Sequence, residues 1–286
     1  MTPRRARRLV GTHLRTLELD EELLKFFLRV VGDASAMHVA LALLLARCDG
    51  PHRVDGRPSL YAWARNATTI SRVAEFGVWR GGNAAKLLRV LQPSRLVLVD
   101  SWLGKGAFDP NKNRYTAENE GFVRERFKSE ISAGVVEVRK GLTNRELMQL
   151  AKADEKFDLV YIDASHAYGS TRYELSMAAY LVAPGGLLCG HDFGVTDIGL
   201  PGGVTDAVMA FAFEAGWSLA AVSVLDAPQR SFCLSRLTSE CLATMDANVQ
   251  RYYRQAGARE KQLQDSPVAS MLGKRGKHTN AGAVSE

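Results

Sequence analysis

No stretch of this 286-residue chain holds the ~18 consecutive apolar side chains that a bilayer crossing needs. The longest candidate, 39–46, is flanked by polar residues and reads as a buried helix. A membrane partner is therefore not expected. Cysteine is scarce as well. Cys48, Cys189, Cys233 and Cys241 lie far apart with no CxxC pair, which argues against a zinc or disulfide framework. All four read as reduced thiols, and the expected location is cytoplasmic. Acids are missing from residues 1–16, which carry Arg4, Arg5, Arg7, Arg8 and Arg15. Serine and an apolar core are missing there too, so neither a transit peptide nor a secretory signal is expected.

The charge that is present sits at the ends. Residues 1–16 contribute +5 and residues 251–286 contribute +4, so a net +6 leaves −3 for 17–250. Two basic tails do not make a basic binding face, and nucleic acid is not the expected partner. Four regions follow: a flexible basic N-terminus (1–16), a helical lead-in (17–68), a catalytic domain (69–240), and a C-terminal helix with a basic tail (241–286). The apolar lead-in helices offer a surface for a second copy of the chain.

From Arg72 onward, short apolar runs alternate with amphipathic stretches. Strands are expected at 73–76, 96–99, 135–138, 159–162, 187–189, 220–224 and 231–234, with helices at 83–91, 119–132, 144–152, 170–182 and 204–215. This pattern is an α/β fold, a doubly wound and mostly parallel seven-stranded sheet covered on both faces. Only a short turn around Asp226 and Pro228 separates the last two strands, which therefore form a C-terminal β-hairpin. In such a sheet ligands bind beyond the carboxyl ends of the strands.

The first strand ends in Glu75-Phe-Gly77-Val-Trp79-Arg-Gly81-Gly82-Asn83 and opens directly into a helix. Gly77 permits a tight turn, and the later glycines let backbone approach a ligand. A dinucleotide fingerprint would require a glycine where Trp79 stands, which counts against an NAD(P)-dependent oxidoreductase. The second strand closes on Asp100, whose carboxylate can accept bonds from both hydroxyls of a ribose. After the third strand, Gly141 and Thr143 supply a turn and a small polar group where an adenine edge can be read.

The segment from Glu75 to Asn83 resembles the first S-adenosylmethionine (SAM) motif of class I methyltransferases. Its EFGVWRGG wording resembles the macrocin and mycinamicin sugar O-methyltransferases in particular, as does Asp100-Ser101-Trp102-Leu103-Gly104. The resemblance covers roughly residues 60–236 and implies a Rossmann-like methyltransferase fold with SAM as cofactor. By this resemblance Glu75 and Gly77 line the methionine part and Asp100 holds the ribose. Trp79, Gly81, Ser101, Gly141, Thr143 and Asp163 complete the expected cofactor set.

The chemical end lies one strand further on. The fourth strand finishes in Asp163-Ala-Ser165-His166, and the fifth finishes in Gly190-His191-Asp192. Neighbouring parallel strands bring Asp163 beside His191 and Asp192. Two carboxylates and an imidazole form a candidate divalent-metal site, with Mg²⁺ expected and Mn²⁺, Fe²⁺ or no metal as the alternatives that the softer histidine leaves open. A metal-held hydroxyl loses its proton more readily, and His166 is of the right type to take it. The resemblance implies the same roles, with Asp163 and His166 catalytic and Asp163, His191 and Asp192 holding the metal. It departs in having His191 where relatives carry a carboxylate, and Ser165 where many carry an acid. The expected activity is O-methylation of a glycosyl or other hydroxyl of a small molecule, with a non-catalytic SAM-binding protein as the alternative.

Overall fold

A computed structural model describes residues 51–103, 110–193, 203–226 and 229–239. Eight strands, β1 (His52–Val54), β2 (Arg72–Phe76), β3 (Arg95–Asp100), β4 (Val136–Lys140), β5 (Phe157–Ile162), β6 (Val182–Phe193), β7 (Trp217–Ser223) and β8 (Arg230–Arg236), form one sheet. Their order is β1-β7-β8-β6-β5-β2-β3-β4. Every pairing is parallel except those of β8, which runs antiparallel to both β6 and β7. The chain order reverses between β2 and β5, so a crevice opens there at the strand ends.

Helices α1 (Arg57–Ala67), α2 (Gly82–Leu91), α3 (Pro110–Arg126), α4 (Lys128–Ser132), α5 (Thr143–Lys152), α6 (Tyr168–Leu181) and α7 (Val204–Ala215) connect the strands. The central strands are apolar on both sides because both faces are covered. On β2 and β3, Ala74, Phe76, Val97 and Val99 join one core with Leu147, Leu175 and Val208 of α5, α6 and α7. Their sequence neighbours Val73, Leu96 and Leu98 join a second core with Leu60, Tyr61 and Leu87 of α1 and α2. This division is the period-two alternation of a strand read on its two faces.

Several details depart from the sequence reading. The lead-in 17–68 reads as helical, but β1 lies within it and pairs with β7. Its three residues, His-Arg-Val, are too few and too polar to show alternation. The lead-in therefore adds an edge strand and α1 to the sheet, while 17–50 lie outside the described residues. The helix expected at 119–132 begins earlier: α3 starts at Pro110, whose fixed φ suits a first helical turn; residues 104–109 lie outside the described residues. β6 begins at Val182 rather than 187 and runs through Pro184-Gly185-Gly186, with a register irregularity opposite Phe157/Leu159.

The reading of four reduced thiols is also corrected. Cys189 and Cys233 are joined in a disulfide. They stand directly opposite each other in the β6/β8 ladder, a juxtaposition that their 44-residue separation hides in the sequence. The cytoplasmic expectation loses the support it drew from those thiols. Cys48, Cys241 and both basic tails lie outside the described residues. Among the described residues, no helix is long and apolar enough to cross a membrane.

Candidate active site

A cleft of about 720 Å³ opens at the strand ends, with Arg57, Glu75, Gly77, Asp163, His191 and Asp192 on its walls. Its floor is the turn after β2. Gly77 has φ +91°, and a Cβ there would stand 1.9 Å from the Asp163 carbonyl oxygen. Only glycine allows the turn to pass this close to the end of β5. Trp79 follows with φ 51° and its ring largely in solvent, and Gly81 caps α2 in the left-handed region.

Glu75 is fully buried on β2. One carboxyl oxygen accepts a hydrogen bond from the Asn83 side chain at 3.2 Å, and Asn83 in turn accepts one from the Tyr61 hydroxyl at 2.6 Å. The other oxygen, Oε2, is buried with no partner. Burial pushes the Glu75 carboxyl up to about 8, against the lowering effect of Asn83. An orphaned acid oxygen beside a ligand-sized cleft suits a cationic ligand group, such as an amino-acid ammonium.

Asp100 closes β3 and lies outside the lining of this cleft. Its two oxygens accept backbone N–H bonds from Trp79 at 2.8 Å and Trp102 at 2.7 Å. The carboxylate thus clamps the turn after β2 to the segment after β3, and each oxygen keeps a lone pair for a further donor. Gly141 donates its N–H to the Asp100 carbonyl, and Ser101 Oγ accepts from Leu103 at 3.3 Å. Thr143 is the first residue of α5. These four positions gather at the ends of β3 and β4, beside the cleft rather than in it.

At the other end, Ile162 of β5 lies opposite Gly190 of β6, so Asp163 and His191 become neighbours. Consecutive strand residues point to opposite faces, yet both His191 and Asp192 turn inward. An irregularity in the β6/β8 register between Gly190 and Phe193, with Asp192 at φ 59°, re-aims the side chain. His166 Nε2 lies 2.6 Å from Asp192 Oδ2, and His191 Nδ1 lies 3.4 Å from Asp192 Oδ1. Burial alone would raise the Asp192 carboxyl, but bonds from His166 and His191 hold it well below the usual range. Asp163 moves the other way: burial raises it, and His191 and Arg57 only partly offset that.

Two contributors escape the motifs. Glu174 of α6 is buried beneath His166, accepts a long bond from the Ser165 N–H at 3.4 Å, and is pushed by burial up to about 7. It supplies an acid near the position where Ser165 lacks one. Arg57, from the first turn of α1, reaches the far side of the chain's own site. Its Nη2 is 2.6 Å from His191 Nε2, and its Nη1 is 3.8 Å from Asp163 Oδ2. An arginine in a Gly-Arg-Pro loop-to-helix junction gives no periodic or motif signal.

The ligand atoms of Asp163, His191 and Asp192 lie within 4.8 Å of one another, a spacing that by itself would admit a divalent ion. The hydrogen bonds do not. A guanidinium only donates, so His191 Nε2 accepts and the imidazole proton of neutral His191 resides on Nδ1. That nitrogen faces both carboxylates and has no lone pair to give a metal. Asp192 Oδ2 is taken by His166, and Asp163 already has a cation beside it. The residues as arranged do not fit the expected Mg²⁺ site.

Residues 74–193 match a family described as "Methyltransferase domain". The matched segment spans less than half of the chain. It holds Glu75, Asp163, His166, His191 and Asp192, whereas Arg57 and Tyr61 precede it. A comparison with curated proteins gave no match. Among solved structures, the O-methyltransferase TomG from Streptomyces achromogenes, involved in tomaymycin synthesis and solved with SAM, is 20% identical. The match covers 78% of this chain and 92% of TomG, with a TM-score of 0.46. An O-methyltransferase from Bacillus cereus solved with SAH is 19% identical over 62% of this chain and 78% of its own, TM-score 0.47. The pyocyanin biosynthetic protein PhzM is 12% identical over 62% of this chain, TM-score 0.44, and the match spans about half of it, 54%.

Proposed function

We propose that the chain transfers the methyl group of SAM to a hydroxyl of a small molecule, in the resemblance's terms a glycosylated specialised metabolite. One observation carries the reading: an orphaned, buried acid and a glycine turn at one end of a cleft whose other end carries Asp163, His191 and Asp192, with His166 against Asp192. Bound SAM supplies a methyl on a sulfonium sulfur, which leaves with its electron pair as the acceptor oxygen attacks. Glu75 and the Gly77 turn would hold the amino-acid end, and Asp100 the ribose. His166 donates Nε2–H to Asp192, which orients the ring. The imidazole would take the hydroxyl proton, and buried Asp192 would stabilise the imidazolium that results.

Calorimetry with SAM and with NADPH tests the cofactor, with binding of the first alone expected. Transfer of labelled methyl to a panel of hydroxylated acceptors, glycosides included, tests the reaction. His166→Ala should bind SAM normally and turn over ~10²–10⁴ times more slowly. Full activity in His166→Ala would remove the base from this account.

A further inference from the structure

We propose that Arg57, rather than a divalent ion, is the fixed cation of the acceptor site. Three acid or imidazole groups converge within 4.8 Å, and a cluster of this kind needs a positive charge to remain buried together. Arg57 supplies it. Its guanidinium bridges His191 and Asp163 and lines the same cleft as both. Arg57 and Pro58 are the first two residues of α1, and Tyr61, one turn on, is buried against Tyr161 and bonded to Asn83. The helix that bears the arginine is therefore anchored to the cofactor side of the cleft.

A guanidinium keeps its charge at every working pH and offers five donors in a rigid fork. An acceptor hydroxyl entering the cleft would meet this cation as its proton passes to His166. The oxygen's developing negative charge is then stabilised without coordination. The catalytic part of this inference rests on the methyl-transfer reading; the exclusion of metal from the three-residue cluster does not.

The test is a titration of chelator-treated full-length protein with Mn²⁺, followed by electron paramagnetic resonance of the free ion. Wild type should leave the signal of ~1 mM Mn²⁺ essentially undiminished beyond nonspecific loss. Arg57→Ala should bind one ion at least tenfold more tightly, and the double variant Arg57→Ala/Asp163→Asn should lose that gain. Arg57→Gln, which keeps polar bulk at the helix start, repeats the comparison should the alanine variant melt early. Tight stoichiometric Mn²⁺ binding by wild type that Asp163→Asn abolishes would overturn the proposal. So would a failure of both arginine variants, shown folded by their melting curves, to gain affinity. Calorimetry of wild type with SAM runs alongside. A lack of SAM binding would sink the methyl-transfer reading and leave the Mn²⁺ result to decide the cation by itself.

Discussion

Gly77 and Asp163 meet through their backbones, the glycine lying where an added Cβ would stand 1.9 Å from the aspartate's carbonyl oxygen. The same pair of strands is tied by the bond from Asp163 N–H to the Phe76 carbonyl at 2.8 Å. The turn after β2 and the strand end that carries the acid are thus tied together at the cleft. Gly77→Ala cannot be relieved by a side-chain rotation, because the obstructing atoms are backbone, and φ +91° disfavours alanine in any case. Strain of ~1–3 kcal/mol at such a site should lower the melting temperature by roughly 2–12 °C. Thermal unfolding followed by circular dichroism checks this, and an unchanged melt would mean the turn is not pressed against β5.

Asp100 has two roles that substitutions can separate. As a clamp it holds the Trp79 and Trp102 N–H groups, and as a ligand it would accept ribose hydroxyls through its remaining lone pairs. Asp100→Ala should cost ~1.5–3 kcal/mol of SAM affinity, about tenfold to a hundredfold. Asp100→Asn keeps one oxygen and loses the charge, and an intermediate loss is expected. Calorimetry gives the affinities and a melting curve gives the clamp. If the alanine variant melts earlier but binds SAM as wild type does, the carboxylate is a turn clamp only.

Glu75 makes stability depend on pH in a stated direction. Its carboxyl is raised from 4.5 to about 8 by burial, so the folded state binds a proton that the unfolded state has released. That contribution is complete below the unfolded value and disappears as pH rises through about 8. Glu174, raised to about 7, acts in the same direction over an overlapping window. Without cofactor, wild type should therefore lose stability from pH 5 toward pH 9, and Glu75→Gln should flatten part of that slope. Denaturant titrations at several pH values measure it. A Glu75→Gln profile parallel to that of wild type would show that the Glu75 carboxyl is not held protonated in the folded chain.

Much of this was readable from residue pattern alone. Apolar runs such as Leu96–Val99 announce strands buried on both faces. A carboxylate at a strand end, as at Asp163, announces a crevice position, whereas Asp100 at its own strand end lies beside the cleft. The convergence of Asp163 with His191 and Asp192 followed from parallel neighbouring strands, because strand order fixes which ends adjoin. What escaped was set by tertiary detail. Arg57 acts across 134 residues, through an arginine whose immediate sequence looks like a solvated helix start. Asp192 faces inward only through a bulge, and a bulge has no one-dimensional signature. Cys189 and Cys233 meet by register, which sequence spacing does not encode.

The placement of β1 at the outer edge of the sheet bears on where the protein can be divided. Its pairing covers the exposed margin of β7, and the helix after it delivers Arg57 and Tyr61. A fragment cut to the bounds of the recognisable segment, 74–193, would forfeit both side chains along with the strands β7 and β8. One cut just before β2 but kept to residue 239 would bare the backbone N–H and C=O groups of β7, a template for intermolecular pairing and aggregation. The segment that the family matches and the stretch that folds as one sheet are therefore different, and the candidate site draws its residues from the longer one.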